Sequence, residues 1–384
     1  MIPYGRQDIT QADIDSVVEV LKSDFITQGP AVTRFEQAIA DYCSVNYGVA
    51  VNSATSALHI ACLALGLGTG DWLWTSPNTF VASANCGLYC GAQVDFVDID
   101  PQTYNMSVDH LRDKLETAEL EGRLPKIVVP VHFAGQSCDM KSIRALADRY
   151  GFKIIEDASH AIGGRYLDKA IGGCHYSDIT VFSFHPVKII TTAEGGLAVT
   201  NDELLAKTMQ YFRSHGITRD AEFMESASDG SWYYQQIELG FNYRITDIQA
   251  ALGYSQLQRL DSYIEQRHQI RLRYDQLLSD LSLVLPWQYP DSYSALHLYP
   301  IQIKPEAKIN RKQAFESLRE KGVGVNVHYI PVHTQPYYQR FGFKPEDFPN
   351  ALEYYQRTIS LPMFSALKED EQSVVVKSLR EILL

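Results

Sequence analysis

Lys188 follows the run Val181-Phe-Ser-Phe-His-Pro-Val187, in which a β-rich stretch stops at a proline and delivers the lysine into a turn rich in small residues, Thr191-Thr-Ala-Glu-Gly-Gly196. Lysines are mostly solvated surface groups, so one set among apolar neighbours just past a strand's carboxyl end is costly unless it has a use. Desolvation lowers the pKa of such an amine and suits it to form a Schiff base. Asp157 ends a second apolar run, Ile154-Ile-Glu-Asp157, and is followed by Ala-Ser-His160. A carboxylate there needs a cationic partner. The protonated ring nitrogen of pyridoxal phosphate is one: the acid keeps the ring cationic, and the ring absorbs a carbanion's electrons. An N-cap for the following turn is the alternative reading of Asp157. The third element is Asn52-Ser-Ala-Thr-Ser-Ala-Leu-His59, a strand running into a helix whose first turn carries Thr55 and Ser56. Unpaired amides and the positive end of the helix dipole make that turn a seat for a phosphate.

Other patterns carry less. Gly66-Leu-Gly-Thr-Gly70 follows a helical pattern and precedes a strand, the reverse of the order a dinucleotide fingerprint requires, and reads as a loop. His328 and His333 are five positions apart, but Pro331 interrupts any helix between them, so no metal pair is expected. Cys86 and Cys90 lie four apart on a helical pattern, and neither a second pair nor a neighbouring His completes a metal set. The six cysteines read as buried thiols in a reducing cytoplasm.

The elements that must position these groups alternate from about residue 48. Short β-rich runs are Val49–Asn52, Trp72–Ser76, Val94–Val97, Ile127–His132, Lys153–Glu156, Thr180–Ser183 and Leu197–Thr200. Between them Thr55–Leu65, Val81–Tyr89, Val108–Leu120 and Met140–Tyr150 show apolar residues at three- and four-residue spacing. This is an α/β pattern: one mainly parallel seven-stranded sheet, right-handed crossovers, and ligands at the strands' carboxyl ends. After residue 245 the rhythm changes to one long charged helix, Asp247–Ser279. A smaller α+β unit follows, with a strand at Leu298–Ile303, a helix near Arg311–Lys321, a β-rich Gly324–Tyr329 and a terminal helix after Lys368. The expected division is a large domain over 1–245 and a small one over 246–384. Asp220–Ser231, acidic and containing Ser and Gly, reads as a mobile flap.

Composition excludes several classes of function. Of 384 residues, 34 are Lys or Arg and 46 Asp or Glu, a net charge of −12, which disfavours nucleic acid and anionic membranes as partners. The first residues, MIPYGRQDIT, carry neither a basic nor an apolar leader region, and no stretch approaches the roughly 18 apolar residues of a membrane span. A cytoplasmic location is expected.

Five ordered segments carry a family resemblance: Ser53–His59, Pro77-Asn-Thr-Phe-Val-Ala-Ser83, Glu156–His160, Phe182–Lys188 with Glu194-Gly-Gly196, and Leu239-Gly-Phe-Asn-Tyr-Arg-Ile-Thr-Asp247. Over essentially its whole length the chain resembles the sugar-nucleotide aminotransferases of the DegT/DnrJ/EryC1/StrS family. The resemblance implies a fold-type I, aspartate aminotransferase-like homodimer with shared active sites and pyridoxal 5'-phosphate as cofactor. Lys188 would form the Schiff base, Asp157 hold the ring nitrogen and His160 lie near the ring oxygen. Phe80 would stack on the ring. Thr55, Ser56 and Ser183 would hold the phosphate, joined by Asn242 of the other subunit. Gln is more frequent in the family where His160 stands here.

Within the family, His185-Pro-Val-Lys188 with Thr191–Gly196, and Ile2-Pro-Tyr-Gly-Arg-Gln7, resemble the branch that makes the precursor of pseudaminic acid. That branch moves the amine of L-glutamate to C4 of a UDP-linked 2-acetamido-4-keto-6-deoxy hexose, leaving 2-oxoglutarate. The branch acting on the UDP-4-keto pentose of lipid A modification is similar around the same lysine. His328, Tyr329 and His333 are then expected to close one side of the sugar-nucleotide cleft. Arg6 and His185 are further candidate substrate contacts, with an exposed terminal arginine and a space-filling imidazole as their alternatives. A dehydratase on the same fold would carry His in place of Lys188. A non-catalytic member would have no reason to keep Lys188, Asp157 and the phosphate residues together.

Overall fold

The computed structural model describes all 384 residues. Two helices precede the sheet, α1 (Gln11–Leu21) and α2 (Pro30–Cys43). The chain then runs β1 (Tyr47–Val51), α3 (Ala54–Ala64), β2 (Trp72–Thr75), α4 (Ala82–Tyr89), β3 (Gln93–Phe96), α5 (Val108–Glu121), β4 (Ile127–Val129), α6 (Met140–Tyr150) and β5 (Lys153–Asp157). A small hairpin follows, β6 (Arg165–Tyr166) and β7 (Lys169–Ala170), then β8 (Ile179–Ser183), β9 (Gly196–Thr200) and α7 (Glu203–Arg213).

Seven of these strands form one sheet in the order β1-β9-β8-β5-β4-β2-β3, and only β9 runs antiparallel to its neighbours. β8 and β9 are buried at every position, as strands covered on both faces must be. The two-residue period sorts their side chains. Val49, Val51, Leu73, Ile155 and Val181 share a core with Leu58 and Ile60 of α3, while Ala50 and Phe182 pack with Phe35 and Ile39 of α2. Trp74, Val128 and Ile154 pack with Leu111 of α5 and Ile143 of α6. Helices therefore cover both faces, and only the strand ends remain open for chemistry.

The segment expected as a flap, Asp220–Ser231, is flanked by the short strands β10 (Ile217–Thr218) and β11 (Gln235–Gln236), which pair with each other, and is a largely exposed excursion holding one 3₁₀ turn at Ala221–Phe223. The long charged helix is interrupted. α8 (Asp247–Leu257) and α9 (Leu260–Leu278) are separate, and Arg259 between them leaves helical geometry at φ −112°, ψ 3°. Buried Asp13 of α1 collects Ser255 Oγ at 2.6 Å, Gln256 Nε2 at 2.8 Å and Arg259 Nη2 at 2.6 Å. Burial alone would raise this carboxyl's pKa, but these bonds hold it below the usual range. A tertiary ion pair thus sits at the break, where no proline or glycine marks it.

The C-terminal unit adds β12 (Leu283–Val284), β13 (Ser292–Tyr293), β14 (Tyr299–Ile303), α10 (Arg311–Glu320), α11 (Pro336–Gln339), α12 (Pro349–Arg357), β15 (Thr358–Leu361) and α13 (Glu369–Leu383). β12, β14 and β15 form an antiparallel sheet. Its core takes Ile270, Tyr274 and Leu278 from α9, whereas Leu260 and Ile264 of the same helix pack with α2. We place the division between the two units within α9, later than the change of rhythm at 245/246 suggests. Gly324–Tyr329, read as β-rich, forms only the single bridge Asn326–Ser360, because there the chain leaves the sheet to line the cleft. No helix is long and apolar enough to cross a membrane.

Candidate active site

A cleft of about 540 Å³ opens at the carboxyl ends of the parallel strands. Lys188 beyond β8 and Asp157 at the end of β5 both line it, as do Ser53, Ala54 and Thr55 at the start of α3. β5 and β8 are paired neighbours, so the register that aligns Asp157 with Val181 also fixes the carboxylate relative to the lysine turn.

Asp157 is held from behind. Ser83 Oγ donates to Oδ2 at 2.6 Å, and the Ser159 amide donates to Oδ1 at 3.1 Å. Thr79 Oγ1, on the cleft wall, lies 2.8 Å from Ser83 Oγ and extends the hydroxyl chain. The lysine turn is equally fixed: Thr192 N–H donates to Phe184 O at 3.0 Å, Phe184 N–H to Gly195 O at 3.0 Å, and Thr191 Oγ1 to Phe184 O at 2.8 Å. Burial lowers the Lys188 pKa to about 8, against the opposing pull of the Asp157 charge. An amine so placed is a nucleophile near neutral pH.

Ser53 caps α3, its Oγ accepting the Ser56 amide at 3.1 Å. The earlier amides of the turn have no partner within the helix. Gly196 makes this arrangement possible. A Cβ there would lie 2.4 Å from Ala54 N, so only glycine lets β9 pass against the start of α3. Thr55 and Ser183 line the cleft beside that turn.

Three uncharged imidazoles surround Lys188. Burial, and then the lysine's charge, push His328 down to about 3 and hold His160 well below the ordinary range. Burial followed by the charge of His160 does the same to His297. The Ala134 amide donates to His160 Nδ1 at 3.3 Å, so the neutral ring carries its proton on Nε2 and donates it to Tyr329 Oη at 3.0 Å. His328 accepts from Asn326 Nδ2 at Nε2 (3.4 Å) and donates from Nδ1 to Ser360 Oγ at 2.8 Å. His297 packs against His160 with ring centroids 4.4 Å apart and planes tilted by 41°, and its Nδ1 is buried without a partner.

The cleft brings together Lys188, Asp157, Thr55, Phe80, His160, Ser183, His185, His328 and Tyr329. Phe80 is exposed at the mouth, its ring 6.4 Å from that of Tyr329, and His185 is exposed with Nε2 3.9 Å from Glu194 Oε1. Four expected contacts fall outside. Ser56 is buried beneath the turn and its hydroxyl donates to Asn52 Oδ1 at 2.7 Å, so its side chain is already occupied. His333 belongs to the core: it packs on Phe96 and Phe348 and donates from Nε2 to Pro345 O at 3.1 Å. Arg6 and Asn242 are exposed and line no part of this chain's cleft. The sequence reading missed Tyr4, Ser83, Glu194, Asn326 and His297. Ser83 and Glu194 lie inside the quoted motifs and could have been found there. No group of His, Cys, Asp and Glu could hold a metal ion, and all six cysteines are free thiols.

A parallel sheet with a lysine past one strand and an acid at the end of the next defines a fold-type I pyridoxal-phosphate-dependent transferase. Residues 7–380 match the model of the DegT/DnrJ/EryC1/StrS aminotransferase family. The chain is 40% identical to the spore coat polysaccharide biosynthesis protein SpsC of Bacillus subtilis, over 99% of this chain and 97% of that one. It is 37% identical to a UDP-4-amino-4,6-dideoxy-N-acetyl-beta-L-altrosamine transaminase of Campylobacter jejuni, over 100% and 98%. Helicobacter pylori PseC, an aminotransferase of pseudaminic acid biosynthesis, superposes with a TM-score of 0.91 at 31% identity, covering 100% of this chain and 99% of that one. The chain belongs to the DegT/DnrJ/EryC1/StrS aminotransferase family, and is a pyridoxal-phosphate-dependent sugar aminotransferase. The residues present fit that cofactor: a lysine of lowered pKa, a hydrogen-bonded carboxylate and a helix N-terminus converge on one cleft.

Proposed function

We propose that this aminotransferase moves the amino group of L-glutamate to C4 of a UDP-linked 2-acetamido-4-keto-6-deoxy hexose, a step of pseudaminic acid (nonulosonate) biosynthesis in the cytoplasm. Lys188 on the cleft wall, with its pKa at about 8 and Asp157 in the same cleft, is the observation that carries the chemistry. The names of the Campylobacter and Helicobacter relatives support the sugar.

Bound pyridoxal phosphate supplies the electron sink for the carbanion. Lys188 would hold the cofactor, and as a free amine it would take the proton from glutamate's α-carbon. Asp157 keeps the ring nitrogen protonated, and Ser83 fixes the carboxylate in place. The amides that open α3, with Thr55 and Ser183, seat the phosphate. Phe80, exposed at the cleft mouth, would pack on the ring. In the second half-reaction Lys188 delivers a proton to the sugar carbon, so one base serves both directions. Across the cycle glutamate becomes 2-oxoglutarate and the keto sugar becomes the amino sugar.

We further propose a homodimer with shared sites, in which Asn242 reaches the phosphate of the other subunit. Asn242 is exposed and outside its own cleft, and Leu239 beside it is 78% exposed, as surfaces awaiting a second copy are. Mass spectrometry of a reaction with glutamate and the UDP-linked 4-keto hexose tests the substrate. The expected product has the keto oxygen replaced by an amine, with 2-oxoglutarate in equal amount. Amination of only a UDP-4-keto pentose or a 3-keto dTDP sugar would exclude this acceptor.

A further inference from the structure

We propose that Glu156 and His132, a hydrogen-bonded pair on the face of the sheet away from the cleft, are positioning residues that set where Asp157 stands relative to the cofactor's ring nitrogen. The inference rests on the pyridoxal-phosphate reading of the cleft. Successive residues of a strand point to opposite faces, so on β5 Glu156 and Asp157 lie back to back. Ile154, on the face of Glu156, packs with α5 and α6, whereas Ile155, on the face of Asp157, packs with α3.

The Glu156 carboxylate joins three segments of chain. Its Oε2 lies 2.6 Å from Nε2 of His132, just past β4. Its Oε1 accepts from Thr180 Oγ1 of β8 at 3.2 Å and from Ser177 Oγ just before that strand. The Cys138 amide donates to His132 Nδ1 at 3.1 Å, so that nitrogen carries no hydrogen and Nε2 donates its own to Glu156. The same histidine holds Asp157 through the backbone: His132 N–H donates to Asp157 O at 3.0 Å, and Asp157 N–H donates to Pro130 O at 2.9 Å. The register of β5 on β8 sets Glu156 opposite Thr180 and Asp157 opposite Val181, and β8 runs on toward Lys188. One carboxylate therefore ties together the ends of the strands that carry the acid and the lysine.

Stability does not account for the pair. His132 is fully buried and Glu156 nearly so, and apolar side chains of similar volume often serve a core equally well or better than a buried polar pair of this kind. Apolar contacts lack direction, however, while hydrogen bonds fix both distance and angle, which a site that must hold its groups to within about 0.5 Å requires.

The test compares pyridoxal phosphate with its analogue carrying CH in place of the ring nitrogen, which gives Asp157 nothing to hold. Both affinities are read by equilibrium titration of the lysine-bound absorption band. The wild type should prefer pyridoxal phosphate, and Glu156→Gln should shrink that preference about tenfold, the scale of one hydrogen bond to a charged group. Thr180→Val keeps a β-branched side chain in the strand while removing one donor, and should shrink it about threefold. The double variant His132→Leu with Glu156→Leu should keep the wild-type denaturant midpoint and still lose the preference. An unchanged preference in Glu156→Gln, whether both cofactors weaken equally or neither does, overturns the assignment, as does a folded double variant that keeps the full preference. Thr180→Val decides by the same criterion if Glu156→Gln does not fold. A wild-type protein that takes up pyridoxal phosphate without any preference, or that forms no lysine-bound band, removes the reading of Asp157 or of the whole cleft as well.

Discussion

Ser83 Oγ, in the first turn of α4, donates to Asp157 Oδ2 across 2.6 Å in a fully buried contact between residues 74 positions apart. That bond orients the acid toward the cleft and leaves its charge for a ring nitrogen. Asp157→Asn should slow single-turnover deprotonation of glutamate about a hundredfold or more at saturating cofactor, the order expected when a preorganised charge is removed. Ser83→Ala, losing one bond to a charged group, should slow it about tenfold. Rates near wild type in both variants would count against the acid's role.

The lowered pKa of Lys188 sets how the protein takes up its cofactor. The neutral amine is the reactive form, so loading of the cofactor-free protein should accelerate as pH rises through about 8 and then level off. Asp157 opposes the lowering, so Asp157→Asn should move that midpoint further down. Stopped-flow appearance of the absorption band measures both. A loading rate that keeps rising past about pH 10, the range of an ordinary lysine, contradicts the burial argument.

Shared sites predict complementation. Asn242→Ala and Lys188→Ala variants, each weak alone, should regain part of the activity when mixed, because a mixed dimer holds one site with neither change. If subunit exchange is demonstrated and no activity returns, each site is complete within one chain.

Asp247 supports the site without touching it. Its Oδ2 accepts the Gly29 amide at 2.7 Å and its Oδ1 the Ala31 amide at 2.8 Å, at the N-terminus of α2. A Cβ on Gly29 would fall 2.4 Å from Phe25 Cβ, so the helix cannot carry its own capping side chain and takes one from α8. Asp247→Asn sets an NH₂ against one of these amides and should cost about 2 kcal/mol in denaturant unfolding. An unchanged unfolding midpoint would show that the cap contributes nothing.

Much of this was legible in the sequence because the relevant physics is local. β8 and β5 read as strands from short apolar runs, and Lys188 and Asp157 stand out because a charge at the end of such a run requires an explanation. α2 was legible too and went unread: Pro30 after Gly29, then Val32, Phe35 and Ile39 at helical spacing, announce a helix start. The rest depends on contacts between distant segments. Nothing near Arg259 signals a helix break, since the buried Asp13 at that point lies 246 residues earlier. His333 and His328 look alike in sequence, yet one meets Phe348 in the core and the other Ser360 at the cleft. His297 carries no local signal, and only the fold lays it on His160.

The central claim is that Lys188 carries pyridoxal phosphate. Borohydride reduction of the cofactor-loaded protein fixes the Schiff base as a stable secondary amine, and mass spectrometry of a proteolytic digest then locates it. The account predicts one phosphopyridoxyl group per chain, on the peptide containing Lys188 and on that residue. An adduct on any other lysine, or none in a protein that has taken up the cofactor, would contradict it.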